Sequence, residues 1–190
     1  MTERDVIDVL RADHHEFDRV FRELEELFDR HDEAAHQRRR TLVDQVSIAI
    51  VQHSVAEETE VYPRVEKEID PAEAERSKHE HSEAEETMKR LEHLQPHDPE
   101  FDVAVRELIR EIREHVAHEE GTMFAELRAT FDRDQLVRMA GRVEAVKKVA
   151  PTRAHPAVPN EKGVRTVLGP VASAVDHLRD AATGRGKDGD

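Results

Sequence analysis

Apolar residues recur at alternating steps of three and four along most of the chain, and this spacing predicts amphipathic helices. The first stretch shows it clearly, with Leu10, Phe17, Phe21 and Leu24 on one face. Runs that alternate with a period of two, which would indicate strands, are absent from the sequence. Because Glu, Arg, Ala and Leu are abundant and favour helices, we expect an all-α protein.

Helix start signals divide residues 1–150 into four long helices and a shorter fifth. Two Asp-Pro pairs, at residues 70–71 and 98–99, each place a capping acid before a proline at the first helical position. Asp132 indicates a further start, and the polar stretch 30–40 is interpreted as a looser break. The predicted helices span residues 3–29, 41–68, 71–95, 99–130 and 133–149. Their lengths and short connections favour an antiparallel, up-down-up-down four-helix bundle, which the fifth helix closes or flanks.

The composition excludes several classes of protein. The chain has 13 histidines and no cysteine, so disulfides, thiolate zinc sites and iron–sulfur clusters are excluded. A net charge of −14 argues against nucleic acid as the main partner. No apolar run approaches the roughly 20 residues of a membrane span. The acidic start also lacks the layout of a signal peptide, so a cytoplasmic location is expected.

Residues 151–190 differ in composition from residues 1–150, which carry the acidic excess. Three prolines mark a linker, and a Gly-Pro start near residue 169 precedes an apolar stripe. We interpret 1–150 as the folded domain and 151–190 as a linker with an amphipathic helical tail. Residues 164–182 are a candidate contact surface for a second copy or a partner protein, and residues 185–190 are expected to be disordered.

Polar residues occupy the apolar faces of the long helices. Each of the four helices has one histidine there, and on two of them a glutamate follows four residues later. These residues are His14, His53 with Glu57, His81, and His115 with Glu119. Since positions i and i+4 share one helix face, each His-Glu pair directs a nitrogen and an oxygen at the same point. A single core histidine is more often structural, but the whole set would be costly to bury without a compensating cation.

The donor atoms narrow the choice of metal. Imidazole and carboxylate without sulfur suit iron or manganese, and suit zinc less well at this number of ligands. Six side chains are too many for one open ion but suit two metals bridged by carboxylates, with water, oxo or hydroxo groups as further ligands. A plain bundle with structural histidines remains the alternative.

Four segments of the sequence, in this order, carry a resemblance to a known family. They are DHHEF at 13–17, HSVAEE at 53–58 followed by Tyr62-Pro63, HSEA at 81–84 and HVAHEE at 115–120. The chain thereby resembles the hemerythrin-like family, or HHE cation-binding domain, over about residues 5–125. The resemblance implies an antiparallel four-helix bundle around a non-haem di-iron centre. It also implies that Glu57 and Glu119 bridge the ions and that the four histidines are terminal ligands.

The resemblance implies a small oxidant or diatomic ligand, such as peroxide, dioxygen or nitric oxide. Oxygen-carrying members have a second histidine one turn away on the third helix, where this chain has Ser77 and Glu85. Because fewer imidazoles and more carboxylate stabilise ferric iron, we expect redox or peroxide chemistry in stress defence rather than reversible oxygen carriage. The alternative is a non-enzymatic iron or oxygen sensor that signals through its tail.

Further polar residues lie close to these positions in the sequence. His14 is preferred to His15, which falls off the apolar face, and His79 faces away. Three residues are candidate partners that orient the ligands: His118, Glu58 and Glu85.

Pro63 is expected to bend or end the second helix, because it lacks a backbone donor. Tyr62, just before it, has two interpretations: packing in the core, which is preferred, and reaching the site as a hydrogen-bond donor. The remaining histidines are expected to be solvated: His31, His36, His93, His97, His155 and His177.

Overall fold

The computed structural model describes residues 3–154, and every regular element in that range is helical. The elements are α1 (Val6–Leu27), α2 (Glu33–Glu60), α3 (Tyr62–Glu68), α4 (Pro71–Leu91), α5 (Pro99–His118), a π-helical turn (Glu119–Met123), α6 (Phe124–Thr130) and α7 (Arg133–Lys147). The predicted linker, the tail helix, the terminal residues 185–190, His155 and His177 lie outside the described residues.

The predicted all-α bundle is confirmed. Its four members are α1, α2 continued by α3, α4, and α5 continued by the π-helical turn and α6, while α7 packs on α1 and α2. None of the described helices is long and apolar enough to cross a membrane.

Two hydrophobic clusters fill the bundle, one on each side of a polar layer. One cluster contains Phe21, Leu42 and Leu108, and the other contains Leu10 and Phe124. Each bundle helix passes from one cluster to the other, and its core histidine lies in between. The candidate site is therefore enclosed by apolar packing above and below.

Aspartates begin the helices where the sequence predicts starts. The side chain of Asp70 accepts a hydrogen bond from the N–H of Ala72, and Asp132 forms a reciprocal capping box with Gln135. The first helix begins at Val6, later than predicted, because Asp5 caps it.

The predicted break at residues 30–40 is present but shorter than expected, since α1 ends at Leu27 and α2 begins at Glu33. Asp32 caps its first turn, and Arg39 is 1% exposed although it is charged. Its Nη1 lies 2.6 Å from both carboxylate oxygens of Asp102 on α5. A charged residue therefore occupies a core position, which the apolar pattern could not reveal.

The third bundle helix ends at Leu91, four residues earlier than predicted. Nη1 of Arg40 donates to the carbonyl of Leu91 at 3.1 Å, and Nη2 donates to the carbonyl of Leu94. This arginine from α2 satisfies carbonyls that a helix end leaves without partners.

Two long helices are interrupted beside the polar layer. As predicted, the second ends its regular α-helix next to Pro63, and α3 continues after Val61. The predicted continuous helix over 99–130 is wrong at Glu119–Met123, where the N–H of Phe124 donates to the carbonyl of Glu119, five residues back. Such π turns are often found at functional sites.

Candidate metal centre

The structure brings the six predicted side chains together in the polar layer. They come from α1, α2, α4, α5 and the π-helical turn, and none is more than 3% exposed: His14, His53, Glu57, His81, His115 and Glu119. Apolar packing on both sides excludes bulk water from this layer.

The donor atoms form two overlapping groups, each with ligand atoms within 4.8 Å of one another. The first contains His14, His53, Glu57 and Glu119, and the second contains Glu57, His81 and His115. Oε2 of Glu57 lies 3.1 Å from Nε2 of His53 and 3.4 Å from Nε2 of His81. Glu57 therefore belongs to both groups.

Glu119 also lies between histidines of the two groups. Its Oε2 is 3.4 Å from Nε2 of His14 and 3.5 Å from Nε2 of His115. The two His-x-x-x-Glu pairs thus place their carboxylates at the centre and their imidazoles around them.

A second set of carboxylates contacts the outer nitrogens of the same histidines. Nδ1 of each imidazole lies 2.9–3.0 Å from one acidic side chain. The pairs are His14 with Glu120, His53 with Asp13, His81 with Glu58, and His115 with Glu80. Because a carboxylate only accepts, Nδ1 carries the hydrogen and Nε2 is directed inward.

These outer contacts close a ring around the bundle. The acid on α1 contacts the histidine on α2, the acid on α2 contacts the histidine on α4, and the acid on α4 contacts the histidine on α5. Glu120 in the π-helical turn completes the ring at His14 on α1. Two consecutive residues of that turn contact the imidazole of His14, Glu119 at Nε2 and Glu120 at Nδ1.

Charge around the histidines changes their protonation. Burial opposes the imidazolium, but Glu57 and Asp13 raise the pKa of His53 to about 10. Burial likewise opposes the charged form of His81, but Glu57 and Glu58 raise its pKa to about 9. Burial disfavours the Glu57 carboxylate, yet the two histidines hold its pKa well below the usual value. The Glu57 carboxylate therefore stays ionised while buried.

Tyr62 packs in the core, as preferred, and its hydroxyl also reaches the site, which was the alternative. The ring lies in a hydrophobic cluster, but the hydroxyl donates to Glu119 Oε1 at 2.9 Å or Glu57 Oε2 at 3.2 Å. The same oxygen is 3.2 Å from Nε2 of His81. Burial and the nearby carboxylates raise its pKa well above the usual value, so the phenol stays protonated.

Several of the atoms that could bind a metal form no hydrogen bond. Nε2 of His14, Oε1 of Glu57 and Oε2 of Glu119 are buried and have no hydrogen-bond partner within residues 3–154. Buried polar groups in this state are costly. A cation would satisfy all three, so the residues present fit a metal site.

The remaining candidate residues fall into three groups. His15 and His79 are exposed, as expected. Glu58 contacts a site histidine directly, whereas Nε2 of His118 lies 2.8 Å from Glu73, so His118 reaches the site only through Glu80. Glu85 is buried.

The expectation that all other histidines are solvated is wrong for His36. It is half-buried in α2, and its Nδ1 donates to the carbonyl of Pro96 at 3.0 Å.

Three outer carboxylates were missed as histidine partners in the sequence: Asp13, Glu80 and Glu120. The sequence offers one signal for these acids, because each is the immediate neighbour in sequence of one of the six site residues. This signal does not identify the contact, because each acid contacts a histidine on a different helix and not its neighbour in the sequence.

The site lies within the part of the chain that matches a known protein family. The hemerythrin HHE cation-binding domain family matches residues 5–127, a span that contains all six site residues and Tyr62. The chain belongs to this family.

Two curated relatives align with most of this chain. An uncharacterized hemerythrin-like protein of Schizosaccharomyces pombe is 33% identical over 134 residues, which is 69% of this chain and 66% of that protein. A DNA nickase of a Nostoc species is 29% identical over 140 residues, 74% of this chain but 38% of the nickase. The chain thus spans less than two thirds of either relative. No solved structure matches it.

Proposed function

We propose that the chain holds two iron ions, without haem, in the polar layer and reacts with a small oxidant or diatomic ligand. Peroxide, dioxygen and nitric oxide are the candidates, in defence against oxidative or nitrosative stress. The observation that carries this proposal is the overlap of two buried donor groups at Glu57. One group alone would suit a single ion, whereas a shared carboxylate suits a pair.

Each side chain has a role in this proposal. His14 and His53 would hold one ion, and His81 and His115 the other. Glu57 and Glu119 would bridge, since each has an oxygen within 3.5 Å of histidine nitrogens from both groups. Imidazole and carboxylate donors without sulfur favour iron, with manganese or zinc less suited.

Access to the site favours small ligands. The six side chains are at most 3% exposed, so a bulky substrate cannot reach them. A groove of about 340 Å³ between α1 and α5 is lined by His14, Phe17, Phe21, Ile112 and Val116. Charged side chains, among them Asp18, Arg22, Arg113 and Glu120, also line this groove. Because the groove reaches a proposed ligand, it offers a path for a diatomic molecule or peroxide.

The surrounding residues would control water and protons. Iron supplies redox chemistry and Lewis acidity when bound. The ring of Phe124 stacks on His14 with centroids 5.7 Å apart, and Phe17 lies edge-on to His53 at 5.2 Å, so both keep water out. The hydroxyl oxygen of Tyr62, which stays protonated, lies within 3.2 Å of a carboxylate oxygen of Glu57, a carboxylate oxygen of Glu119 and Nε2 of His81. It is therefore placed to donate to a ligand in this layer.

The second candidate is a non-enzymatic iron or oxygen sensor. It is favoured by the packing of α7 directly on α1 and α2, because the chain continues from α7 into residues 151–190. A DNA function is not proposed. This chain aligns with only 38% of the nickase. Residues 1–150 of this chain also carry an acidic excess, which disfavours contact with phosphates.

Metal analysis tests the site. We expect two iron atoms per chain after purification from iron-replete cells, and their loss in His53→Ala and His115→Ala. His79→Ala, an exposed histidine on α4, is the matched control and should retain both irons. A wild-type chain that binds no iron when iron is supplied would reject the proposal.

Turnover separates the enzyme from the sensor. For an enzyme, Tyr62→Phe should keep two irons but slow peroxide consumption, and deletion of residues 151–190 should leave it intact. For a sensor, the iron-loaded chain should consume no oxidant, and the same deletion should abolish binding of a partner.

A further inference from the structure

The last residue of α7 contacts the ring of outer carboxylates. Nζ of Lys147 lies 2.6 Å from both carboxylate oxygens of Asp13. Oδ2 of Asp13 in turn accepts from Nδ1 of His53 at 3.0 Å. A chain of two charge-assisted contacts therefore connects a helix outside the four-helix bundle to a proposed iron ligand.

Two other outer carboxylates, Glu120 and Glu80, contact cations on bundle helices. Arg11 lies 3.6 Å from Glu120, and Arg76 lies 2.8 Å from Glu80, but both arginines belong to bundle helices. Their side chains are 45% and 60% exposed, against 24% for Lys147. An exposed ion pair restrains a side chain weakly, so Lys147 is better placed than either arginine to restrain an outer carboxylate.

We propose that Lys147 is a positioning residue for the metal centre. It holds Asp13 in the orientation that directs Nε2 of His53 inward, so the packing of α7 and the binding of metal support each other. This inference rests on the proposed function, because it requires that His53 binds metal. The dependence is reciprocal: if α7 strengthens metal binding, metal must strengthen the packing of α7 by the same factor.

Other contacts keep α7 packed when Lys147 is changed. Leu136, Met139 and Val143 are buried in the hydrophobic cluster, and Nε of Arg142 lies 2.7 Å from Glu60 on α2. Arg142 is thus a matched control, since it also joins α7 to the bundle. Its partner Glu60 is not one of the acids that contact the site histidines.

The test uses the full chain and iron(II) alone, titrated without oxygen. Replacing an outer partner of a metal ligand weakens metal binding about 10- to 100-fold, and Lys147 acts one contact further out. We expect Lys147→Gln to weaken iron binding by about 10-fold, the lower end of that range. The absorption spectrum of the cobalt(II)-loaded site should shift, because it reports ligand geometry. Lys147→Arg should restore both, whereas Arg142→Gln and Lys148→Gln should change neither.

Amide hydrogen exchange gives an independent measurement. Metal should slow exchange in α7 of the wild-type chain, and this protection should be lost in Lys147→Gln. Wild-type affinity and spectrum in Lys147→Gln, or an equal loss in Arg142→Gln, would overturn the inference while leaving the proposed function standing. Absence of metal binding in the wild-type chain would overturn both.

Discussion

Each buried imidazole is oriented by a carboxylate that belongs to another helix. The contact between Nδ1 of His115 and Oε2 of Glu80, at 2.9 Å, illustrates this. Partial burial raises the pKa of Glu80, but hydrogen bonds from His115 and Arg76 lower it to about 2. Glu80 therefore stays ionised at neutral pH, keeps the hydrogen on Nδ1, and leaves the lone pair of Nε2 for a metal.

Replacing Glu80 should weaken the metal site without removing a ligand. Glu80→Gln keeps the size of the side chain but loses the charge that selects the Nδ1 hydrogen, so we expect iron(II) affinity to fall about 10- to 100-fold. Glu83→Gln on the same helix is the control. Glu83 is exposed and lies 3.7 Å from exposed His79, away from the site. The iron(II) affinity of the Glu83→Gln variant should therefore stay within about twofold of wild type. Equal affinities for the two variants in anaerobic titration would contradict the role of the outer ring.

The clustering of the six side chains could be predicted from the sequence, because helix geometry places each of them on the apolar face of its own helix. The outer contacts could not, since Asp13 to His53 and Glu80 to His115 depend on how neighbouring helices align along their axes. The contact of the Tyr62 hydroxyl with the site was only the less favoured alternative for a related reason. Tyr62 follows Glu57 by five residues, outside the i+4 pattern, and the break at Val61 precedes it.

The second bundle helix shows why its start was predicted too late. Arg39 takes a core position in α2, and Asp102 on α5 supplies its charge partner. A pattern that counts apolar residues reads such a position as solvent-exposed. The buried pair replaces hydrophobic contact with a specific connection between two helices that are distant in sequence.

Removing the aspartate of this pair should destabilise the bundle. Asp102→Asn leaves the Arg39 guanidinium buried without a counter-charge, and breaking a buried pair costs about 3–5 kcal/mol. Because Asp102 is 27% exposed, we expect a decrease of only about 2–3 kcal/mol in the free energy of unfolding. Glu107 lies on the same helix as Asp102 and forms an exposed pair with Arg90 of α4. Glu107→Gln removes this pair and should lower the free energy of unfolding by less than about 1 kcal/mol. Urea denaturation of the metal-free chain measures both, and equal costs would refute the distinction.

The fourth bundle helix was predicted correctly in position but not in geometry. Placing Glu119 beside His115 needs only the i+4 spacing, which the sequence shows. The π-helical turn that starts at Glu119 lets Glu120 contact His14 as well. Nothing in a period of 3.6 signals this wider turn, so the second contact emerged only from the folded chain.

At the scale of the whole molecule, the polar layer divides the apolar core and is unstable without a positive charge. The buried Glu57 carboxylate needs a cation, and in the metal-free chain the protons on His53 and His81 supply it. Metal and protons therefore compete for the same Nε2 atoms.

This competition gives metal binding a definite pH dependence. Since the pKa values of His53 and His81 are raised to about 10 and about 9, both carry a proton at pH 7 in the metal-free chain, and each must lose one to bind metal. Iron(II) affinity should therefore increase with pH by about 10-fold per pH unit for each proton displaced, and level off near the raised pKa values. Titration calorimetry in two buffers of different ionisation enthalpy counts the released protons directly, and His79→Ala should leave that number unchanged. An affinity that stays flat or falls between pH 6 and pH 8 would show that the histidines do not hold the metal through the nitrogens that the proton occupies.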